Sequence, residues 1–242
     1  IYRNMKDKDF KNYYVDRDIS WMYFNHRILK EAQKDNVPLL ERLSFLGIYS
    51  NNLDEFFRVR MASLNRLLES ADKSAKKEKE HLKSTIKTIN KLNNIYSKEY
   101  TETTNDVFTQ LEEHNIRLLN EEKLNDEQKQ YIKDFYYDKL NGSTNPIWLE
   151  NISEIGKLQD NRIYLIVKRT EKEDTFGKKQ KTDYAIVKVP DSEFGRFIVL
   201  PPSDGYQNTI YLDDVIRFCL PLIFIGFKPS SFEAYSFKFT KD

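Results

Sequence analysis

The spacing of apolar residues changes part-way along the chain, and this change limits the possible folds more than any other feature of the sequence. From Ser20 to about Leu140, apolar residues recur three and four positions apart, which is typical of helices that bury one face. Beyond residues 141–142 they fall in short runs rich in β-branched and aromatic side chains, which are typical of strands. The sequence therefore predicts an α+β protein in which an all-helical domain precedes a domain of mixed structure.

The helical part is expected to form a helical hairpin or bundle. Its first helix has Ser20 as N-cap, its second helix starts at Pro38, and its last helix ends at residues 141–142. A break between two helices is predicted at the stretch NNLDE, residues 51–55. The polar residues 72–83 are expected to form a solvated connection or the exposed start of a helix, and phosphate binding by their lysines is the less favoured alternative.

The second part is expected to contain a small antiparallel sheet and a helix. Its candidate strands are RIYLIVKRT (162–170), DYAIVKVP (183–190), RFIVLPP (196–202) and EAYSFKFT (233–240). The lysine-rich residues 172–181 are predicted to form a hairpin loop, and LDDVIRFCLPLIFIG (212–226) is predicted to form a helix. The domain boundary lies between Leu111 and Gly142 on these patterns, and we place the domains at 1–115 and 116–242, the second one truncated at its carboxy-terminal end.

Charge and composition exclude several classes of function. The 39 Lys and Arg residues nearly balance the 38 Asp and Glu residues, so no overall field favours nucleic acid, and no nucleic-acid partner is expected. The longest apolar run, FCLPLIFIGF, is too short to cross a bilayer and contains Pro221, and the amino terminus does not resemble a signal peptide. Cys219 lies in that run and is expected to be a buried structural thiol. Both ends of the chain are expected to be cuts rather than natural termini.

Several catalytic and metal-binding patterns are absent from the sequence. It contains no glycine-rich phosphate loop and no Cys/His cluster with zinc spacing. His26, His81 and His114 are scattered, and each is expected to lie on the surface of a helix. Adjacent acids such as Asp213 and Asp214 point in different directions on a helix, which argues against a carboxylate dyad. We therefore expect no catalytic residue and no metal ligand within this chain.

The stretch NNLDE has two open interpretations. Asn52 can be the N-cap of a helix, with Glu55 three residues later as its reciprocal partner. Alternatively, the amide of Asn51 or Asn52 offers a donor and an acceptor to a ligand, and the edges of nucleobases present the complementary pattern. The residue types alone favour the cap.

The neighbouring residues add a family resemblance. The stretch DRDISWMYFNHRILKEAQKDNVPLLERLSFLGIYSNNLDEFFRVRMASL, residues 16–64, closely resembles the amino-terminal domain of bacterial polyphosphate kinases. The shared pattern includes Trp21, Phe24 with Asn25, Glu41 with Arg42, and the whole of residues 50–56. The stretches LPPSDGY, IYLDDVIRFCLPLIFIGF and AYSFKFTKD are similar, more thinly, to the second domain of that family, its head domain.

The resemblance implies an amino-terminal fragment of an enzyme that reversibly transfers the terminal phosphate of ATP to polyphosphate through a phosphohistidine. The phosphohistidine, its basic partners and the magnesium-linked residues belong to later domains of the family, so the fragment alone is expected to be inactive. The implied partners are ATP or ADP, polyphosphate and a second copy of the chain, and Mg²⁺ is expected only for the full enzyme. A cytoplasmic location is expected, and membrane association of the full enzyme stays open.

The resemblance also changes the interpretation of individual residues. Asn52 matches the family asparagine that contacts the ATP nucleotide, so it becomes the candidate nucleotide-binding residue, whereas Asn51 is expected to be structural. Asp54 and Glu55 are expected in a first helical turn, where they face the positive end of the helix dipole. Arg58 and Arg60 are expected to pair with Asp54, Glu55 or Glu41, and contact with the phosphates of the nucleotide is the less favoured alternative. The competing hypothesis is a stand-alone interaction module without catalysis, whose aromatic-rich α+β half binds a protein partner.

Overall fold

A computed structural model describes residues 14–71, 76–150, 156, 158–171, 181–227 and 230–240. The chain divides into two compact units, Ile1–Leu111 and Glu112–Asp242. The first unit is helical, and the second combines short helices with two sheets. The predicted α+β class is therefore confirmed.

Amphipathic helices build the first unit. They are α1 (Arg17–Ala32), α2 (Leu39–Glu55), α3 (Ala62–Ser70) and α4 (Lys76–Glu113), with a π-helical segment (Phe56–Met61) between α2 and α3. α1 and α2 pack against each other as a helical hairpin, as predicted. The core residues come from all of the long helices and include Met22, Leu29, Leu46, Tyr49, Ile89 and Tyr96. Burying such side chains fully contributes roughly 1.5–3 kcal/mol each, which offsets the cost of ordering the chain.

The starts of the helices follow their capping residues. Asp16, and not Ser20, is the N-cap of α1, because its Oδ1 accepts from the backbone N–H groups of Asp18 (2.9 Å) and Ile19 (3.4 Å). The prediction of Ser20 as the cap was wrong by one helical turn. α2 starts after Pro38, as predicted. Residues 76–83 form the exposed start of α4, and residues 72–75 lie outside the described part of the chain.

The predicted break at residues 51–55 is wrong. α2 continues through these residues to Glu55 and passes directly into the π-helical segment and α3. Asn52 has helical neighbours on both sides and cannot be an N-cap, and Glu55 pairs with Arg58 instead of reaching back to Asn52. Asp54 and Glu55 therefore lie in the last turn of α2 and not in a first turn.

Two small sheets and several short helices form the second unit. The helices are α5 (Asp126–Phe135), which continues into a π-helical turn (Tyr136–Leu140), α6 (Asp191–Phe194), α7 (Leu212–Phe218) and α8 (Leu220–Ile223). The strands are β1 (Ile116–Leu119), β2 (Ile147–Trp148), β3 (Arg162–Glu171), β4 (Thr182–Lys188), β5 (Phe197–Val199), β6 (Gln207–Tyr211) and β7 (Ser230–Phe239). One sheet has the order β1-β6-β5, and the other has the order β2-β4-β3-β7.

The larger sheet is antiparallel throughout, and three of its strands are those predicted. The smaller sheet was only partly predicted: β5 was expected, but β1 and β6, which pair in parallel, were not. β1 lies in a stretch that was predicted to be helical, so that prediction was wrong for Ile116–Leu119. The predicted hairpin loop between β3 and β4 falls almost wholly on residues 172–180, outside the described part of the chain.

The core of the second unit lies between the sheets and the helices. Leu165, Val167 and Val187 of β3 and β4 are fully buried together with Cys219. Cys219 is a buried free thiol, as predicted, and burial raises the pKa of this thiol to about 12. The predicted single helix over 212–226 is two short helices instead, because Pro221 has no backbone N–H and cannot continue α7.

Candidate functional site

Three cross-helix contacts join α1 to the run from Asn52 to Arg60. Asn25 contacts Asn52, Trp21 stacks on Phe56, and Asp18 pairs with Arg60. On α1 the contacting residues are spaced by four and three positions, and on the second run they are spaced by four and four. This spacing places each set on one face of its helix, so the hairpin brings together residues that are 27 to 42 positions apart in sequence.

The orientation of the Asn52 side chain follows from its partners. Asn25 is almost completely buried, with 1% of its surface exposed, and its Nδ2 donates to the Tyr49 carbonyl at 3.1 Å. Because that carbonyl can only accept, the Oδ1 of Asn25 must face the other way, where it accepts from Asn52 Nδ2 at 3.1 Å. Asn52 is partly buried, and its Oδ1 makes no hydrogen bond within the described residues. The carbonyl oxygen of Asn52 is thus left as an acceptor for another molecule.

The π-helical segment keeps the next two contacts on the same face. The rings of Trp21 and Phe56 stack with their centroids 4.3 Å apart. Four residues of a regular α-helix turn by slightly more than one full turn, so Arg60 would drift away from α1. The wider i→i+5 turn of Phe56–Met61 reduces this drift. Such π-helical turns occur frequently at functional sites.

The ion pair of Asp18 and Arg60 closes this end of the hairpin. The guanidinium of Arg60 donates twice to the Asp18 carboxylate, at 2.9 and 3.0 Å. Burial raises the pKa of Asp18, and the charge of Arg17 opposes this effect. Burial thus favours the neutral form of Asp18, whereas a neighbouring guanidinium favours its ionised form.

A shallow open depression of about 430 Å³ lies beside these contacts. Its walls come from Arg17, Ser20, Trp21 and Phe24 of α1 and from the Asp18–Arg60 pair. Phe24 is half-exposed, and the Arg27 guanidinium lies 5.5 Å from the centre of its ring. The depression thus combines an exposed aromatic face with two arginines, which suits a ligand that has both a ring and negative charge.

The structure places the other predicted residues in different roles. Asn51 is exposed, one position away from Asn52. Arg58 pairs with Glu55, as predicted. The expectation that Arg60 pairs with Asp54, Glu55 or Glu41 is wrong, because its partner is Asp18 on the neighbouring helix.

Asn25 and Asp18 contact Asn52 and Arg60, and sequence reasoning did not select them as candidate site residues. The signal was present, because Asp18, Trp21 and Asn25 recur at helical spacing, as do Asn52, Phe56 and Arg60. Because a helix break was predicted at residues 51–55, the helical spacing of Asn52, Phe56 and Arg60 was not recognised.

The histidines show no arrangement suited to catalysis. His26 was expected on the surface but is partly buried: its ring stacks on Tyr96 with centroids 3.8 Å apart, and its Nε2 lies 2.8 Å from Glu99 Oε2. Burial tends to raise the pKa of Glu99, but the hydrogen bonds from His26 and Lys30 outweigh it and lower that pKa. His81 and His114 are exposed. Among the described residues, no group of three or more His, Cys, Asp or Glu side chains could hold a metal ion.

Two family models match this chain. The model of the polyphosphate kinase N-terminal domain matches residues 14–119, and that of the polyphosphate kinase middle domain matches residues 127–242. The chain belongs to the polyphosphate kinase family. All three cross-helix contacts lie within the part matched by the N-terminal domain model.

Relatives of polyphosphate kinase type match nearly the whole chain. The polyphosphate kinase of Vibrio cholerae is 33% identical over 235 residues, which cover 95% of this chain and 32% of that protein. The polyphosphate kinase of Yersinia pestis is 34% identical over 235 residues, which cover 95% of this chain and 33% of that protein. The crystal structure of polyphosphate kinase from Porphyromonas gingivalis superimposes with a TM-score of 0.70 at 28% identity, covering 92% of this chain and 32% of that one.

The chain thus spans about a third of the length of the polyphosphate kinases that it matches. It corresponds to their amino-terminal and middle domains. Within the described residues, no helix is both long and apolar enough to cross a membrane.

Proposed function

We propose that this chain is the amino-terminal and middle part of a polyphosphate kinase and that Asn52 binds the base of ATP. The observation that carries the proposal is the orientation of the Asn52 amide. Asn25 occupies one N–H of Asn52 and leaves the Oδ1 available to accept. The 6-amino group of adenine is a donor, whereas guanine has a carbonyl acceptor at the same position. The contact therefore favours adenine over guanine.

The rest of the reaction is expected to take place outside this chain. The enzyme would transfer the terminal phosphate of ATP to a histidine and from there to the end of polyphosphate, and the reverse reaction would regenerate ATP. His26 is held by Tyr96 and Glu99, and none of His26, His81 and His114 lies in a motif that matches the phosphorylated histidine of the family, so we assign none of them the phosphate. Mg²⁺ would be held by residues of the full-length enzyme beyond this chain.

The purified chain alone should therefore be inactive. ATP and polyphosphate are incubated with it in the presence of Mg²⁺, and phosphate transfer is followed in both directions. The expected result is no transfer above background. Transfer by the chain alone would overturn this part of the proposal.

The role of Asn52 is tested in the full-length enzyme. Removal of its amide in Asn52→Ala should lower kcat/KM for ATP by about five- to 150-fold, because losing a contact to a polar partner costs roughly 1–3 kcal/mol. It should also reduce the preference for ATP over GTP. Asn51→Ala is the matched control, since Asn51 is exposed and adjacent. Unchanged ATP kinetics in Asn52→Ala would refute the proposal.

A further inference from the structure

The exposed face of α4 carries a row of lysines. Residues 76–98 contain seven lysines and two glutamates, although the whole chain has nearly equal numbers of positive and negative residues. At about 100° per residue, six of these lysines fall within a sector of about 120° over a length of about 33 Å. The lysine stripe consists of Lys76, Lys79, Lys83, Lys87, Lys91 and Lys98.

The lysine stripe lies opposite the buried face of the helix. Leu82, Ile89 and Tyr96 are buried on the other side and hold α4 in the first unit. Five of the six lysines are exposed, and Lys79 is partly exposed. The positive charges are therefore held along one line by a helix that is itself fixed in the core.

The lysines of the stripe have few acidic side chains as neighbours. Among the described residues, no lysine of the stripe lies within ion-pair distance of a carboxylate, and Glu80 is the only acid in the same sector. Lys79, Lys83, Lys87 and Lys91 follow one another at intervals of four, so neighbouring positive charges repel each other along the helix. An anionic ligand would remove this repulsion.

A shallow depression of about 620 Å³ lies in the carboxy-terminal half of the stripe. Lys87, Asn90, Lys91, Asn94 and Lys98 contribute to its walls, and Glu99 and Glu102 border it. Glu99 is occupied by His26 and Lys30. Asparagine amides between the lysines can donate to phosphate oxygens.

The chemistry of the stripe distinguishes between polyanions. Single-stranded nucleic acids are bound by basic grooves with aromatic side chains on which bases stack, and the stripe contains no aromatic residue. Amphipathic helices that insert into a membrane surface also present an apolar face, and only Ile95 is a large apolar side chain at the depression. An unbranched chain of phosphates without bases requires only point charges at regular intervals, which lysines supply.

We propose that the lysine stripe of α4 binds the polyphosphate chain. This inference rests on the proposed function for the identity of the polyanion, but it concerns a surface separate from Asn52. The stripe would hold the chain at a distance from its reacting end. Long polyphosphate should therefore depend on the stripe more than short polyphosphate does.

The test is made on this chain, without ATP. Binding of end-labelled long-chain polyphosphate is followed by fluorescence anisotropy over a series of salt concentrations. The variant Lys83→Gln/Lys87→Gln/Lys91→Gln should bind about five- to 100-fold more weakly, because three exposed charge contacts are lost, and its affinity should depend less on salt. The matched control is Lys123→Gln/Lys133→Gln/Lys139→Gln in the second unit, which removes the same charge and should bind within twofold of the unchanged chain. Circular dichroism confirms that both variants are folded.

Several results would overturn the proposal. An equal loss in both variants would mean that binding depends on total charge only, and no loss in either would place the polyphosphate elsewhere. Tighter stripe-dependent binding of single-stranded RNA or of vesicles with anionic lipids would assign the surface to another partner. In the full-length enzyme the stripe variant should raise KM for long polyphosphate and leave KM for ATP unchanged, whereas Asn52→Ala should do the reverse. The two proposals can therefore fail independently.

Discussion

The side-chain amide of Asn52 donates to the Oδ1 of Asn25 at 3.1 Å, across a helical hairpin in which the two residues are 27 positions apart. Asn25 is buried and is itself fixed by the Tyr49 carbonyl. The candidate ligand-binding side chain is thus oriented by a residue that a ligand would not touch. If Asn52 binds a nucleotide as proposed, its amide is already oriented in the free protein, which would reduce the entropic cost of binding.

The first prediction concerns Asn25 as a positioning residue. In Asn25→Leu the Asn52 amide loses its partner and can rotate, so kcat/KM for ATP in the full-length enzyme should fall by about two- to 13-fold, corresponding to roughly 0.5–1.5 kcal/mol for one hydrogen bond. The preference for ATP over GTP should fall with it, as in Asn52→Ala. Steady-state kinetics with both nucleotides measure these effects.

The control for Asn25→Leu is a core variant that destabilises without touching Asn52. Ile89 is fully buried, and Ile89→Val is expected to cost about 0.5–1.5 kcal/mol of stability. If Ile89→Val reduces the nucleotide preference as much as Asn25→Leu does, the effect reflects general loss of stability and not the position of the Asn52 amide.

The first unit shows how far the sequence alone could predict this site. The helices and their buried stripes follow from apolar spacing, and the choice of Asn52 as the candidate nucleotide-binding residue stays a prediction. Its environment was not predictable, because asparagine and aspartate favour helix starts when only local interactions are considered. In the structure Asn52 hydrogen-bonds to Asn25 of another helix, and Arg60 pairs with Asp18, 42 positions away. These long-range partners make NNLDE compatible with a continuous helix.

The second prediction concerns the dependence of Asp18 on Arg60. Arg60→Met leaves a carboxylate that is only 7% exposed without its bidentate partner, so the free energy of unfolding should fall by about 1–3 kcal/mol at pH 7. Arg60→Lys should recover only part of this loss, because an ammonium group cannot reproduce the two parallel hydrogen bonds. Urea unfolding followed by circular dichroism measures both variants.

The pH dependence of the stability of Arg60→Met tests whether its loss of stability comes from the Asp18 carboxylate. Burial raises the pKa of Asp18 above its usual 3.8, and loss of Arg60 should raise it further. An acid with a raised pKa binds its proton more tightly in the folded state, so stability increases as pH falls through the folded-state pKa. The deficit of Arg60→Met relative to the unchanged chain should therefore shrink on mild acidification. A deficit that stays constant from pH 7 to pH 4 would contradict this role for Asp18.

The third prediction concerns Arg42, whose guanidinium is 2% exposed and joins three elements of the first unit. It donates to the Ala32 carbonyl at 2.6 Å, to Gln110 at 3.1 Å and to Asp106 at 2.7 Å. Hydrogen bonds from Gln110 and Arg42 lower the pKa of Asp106 below its usual 3.8. A lowered pKa in an acid gives stability that is present above 3.8 and is lost as pH falls through the folded-state pKa.

Replacement of Asp106 tests this contribution. Because the Asp106 side chain is 52% exposed, Asp106→Asn should cost only about 0.2–1 kcal/mol near neutral pH. The difference between Asp106→Asn and the unchanged chain should shrink as pH falls through the lowered folded-state pKa of Asp106, below which both carry a neutral side chain. Asp126→Asn is the control, since Asp126 pairs with Lys129 while fully exposed, and it should change stability less. The prediction fails if the Asp106→Asn deficit grows on acidification.

The second unit was less predictable from its sequence, for a different physical reason. β3, β4 and β7 are long, alternate in burial and pair with one another, so the local pattern identifies them. β1 and β6 are only four and five residues long, and they form strands because they pair with each other in parallel, 91 positions apart. Short strands of this kind are defined by their partner more than by their own residues. The apolar residues of β1 therefore fit the helical pattern that precedes them equally well.

The last prediction concerns self-association, because the family resemblance implies a second copy of the chain as a partner. Tyr184 and Tyr235 are 46% and 65% exposed, and the pairing of their strands with β3 places both on the same face of the larger sheet. Exposed tyrosines are enriched in protein interfaces. The full-length enzyme should sediment as a dimer or larger species at micromolar concentration. The variant Tyr184→Ser/Tyr235→Ser should raise the dissociation constant of the dimer by at least about tenfold, because truncating central aromatic contacts costs more than about 1 kcal/mol each.

Tyr131→Ser/Tyr137→Ser is the matched control, because these tyrosines are 39% and 56% exposed on α5 and on the π-helical turn that follows it. If the control dissociates the enzyme as strongly, or if the unchanged enzyme sediments as a monomer, this face of the sheet is not the interface.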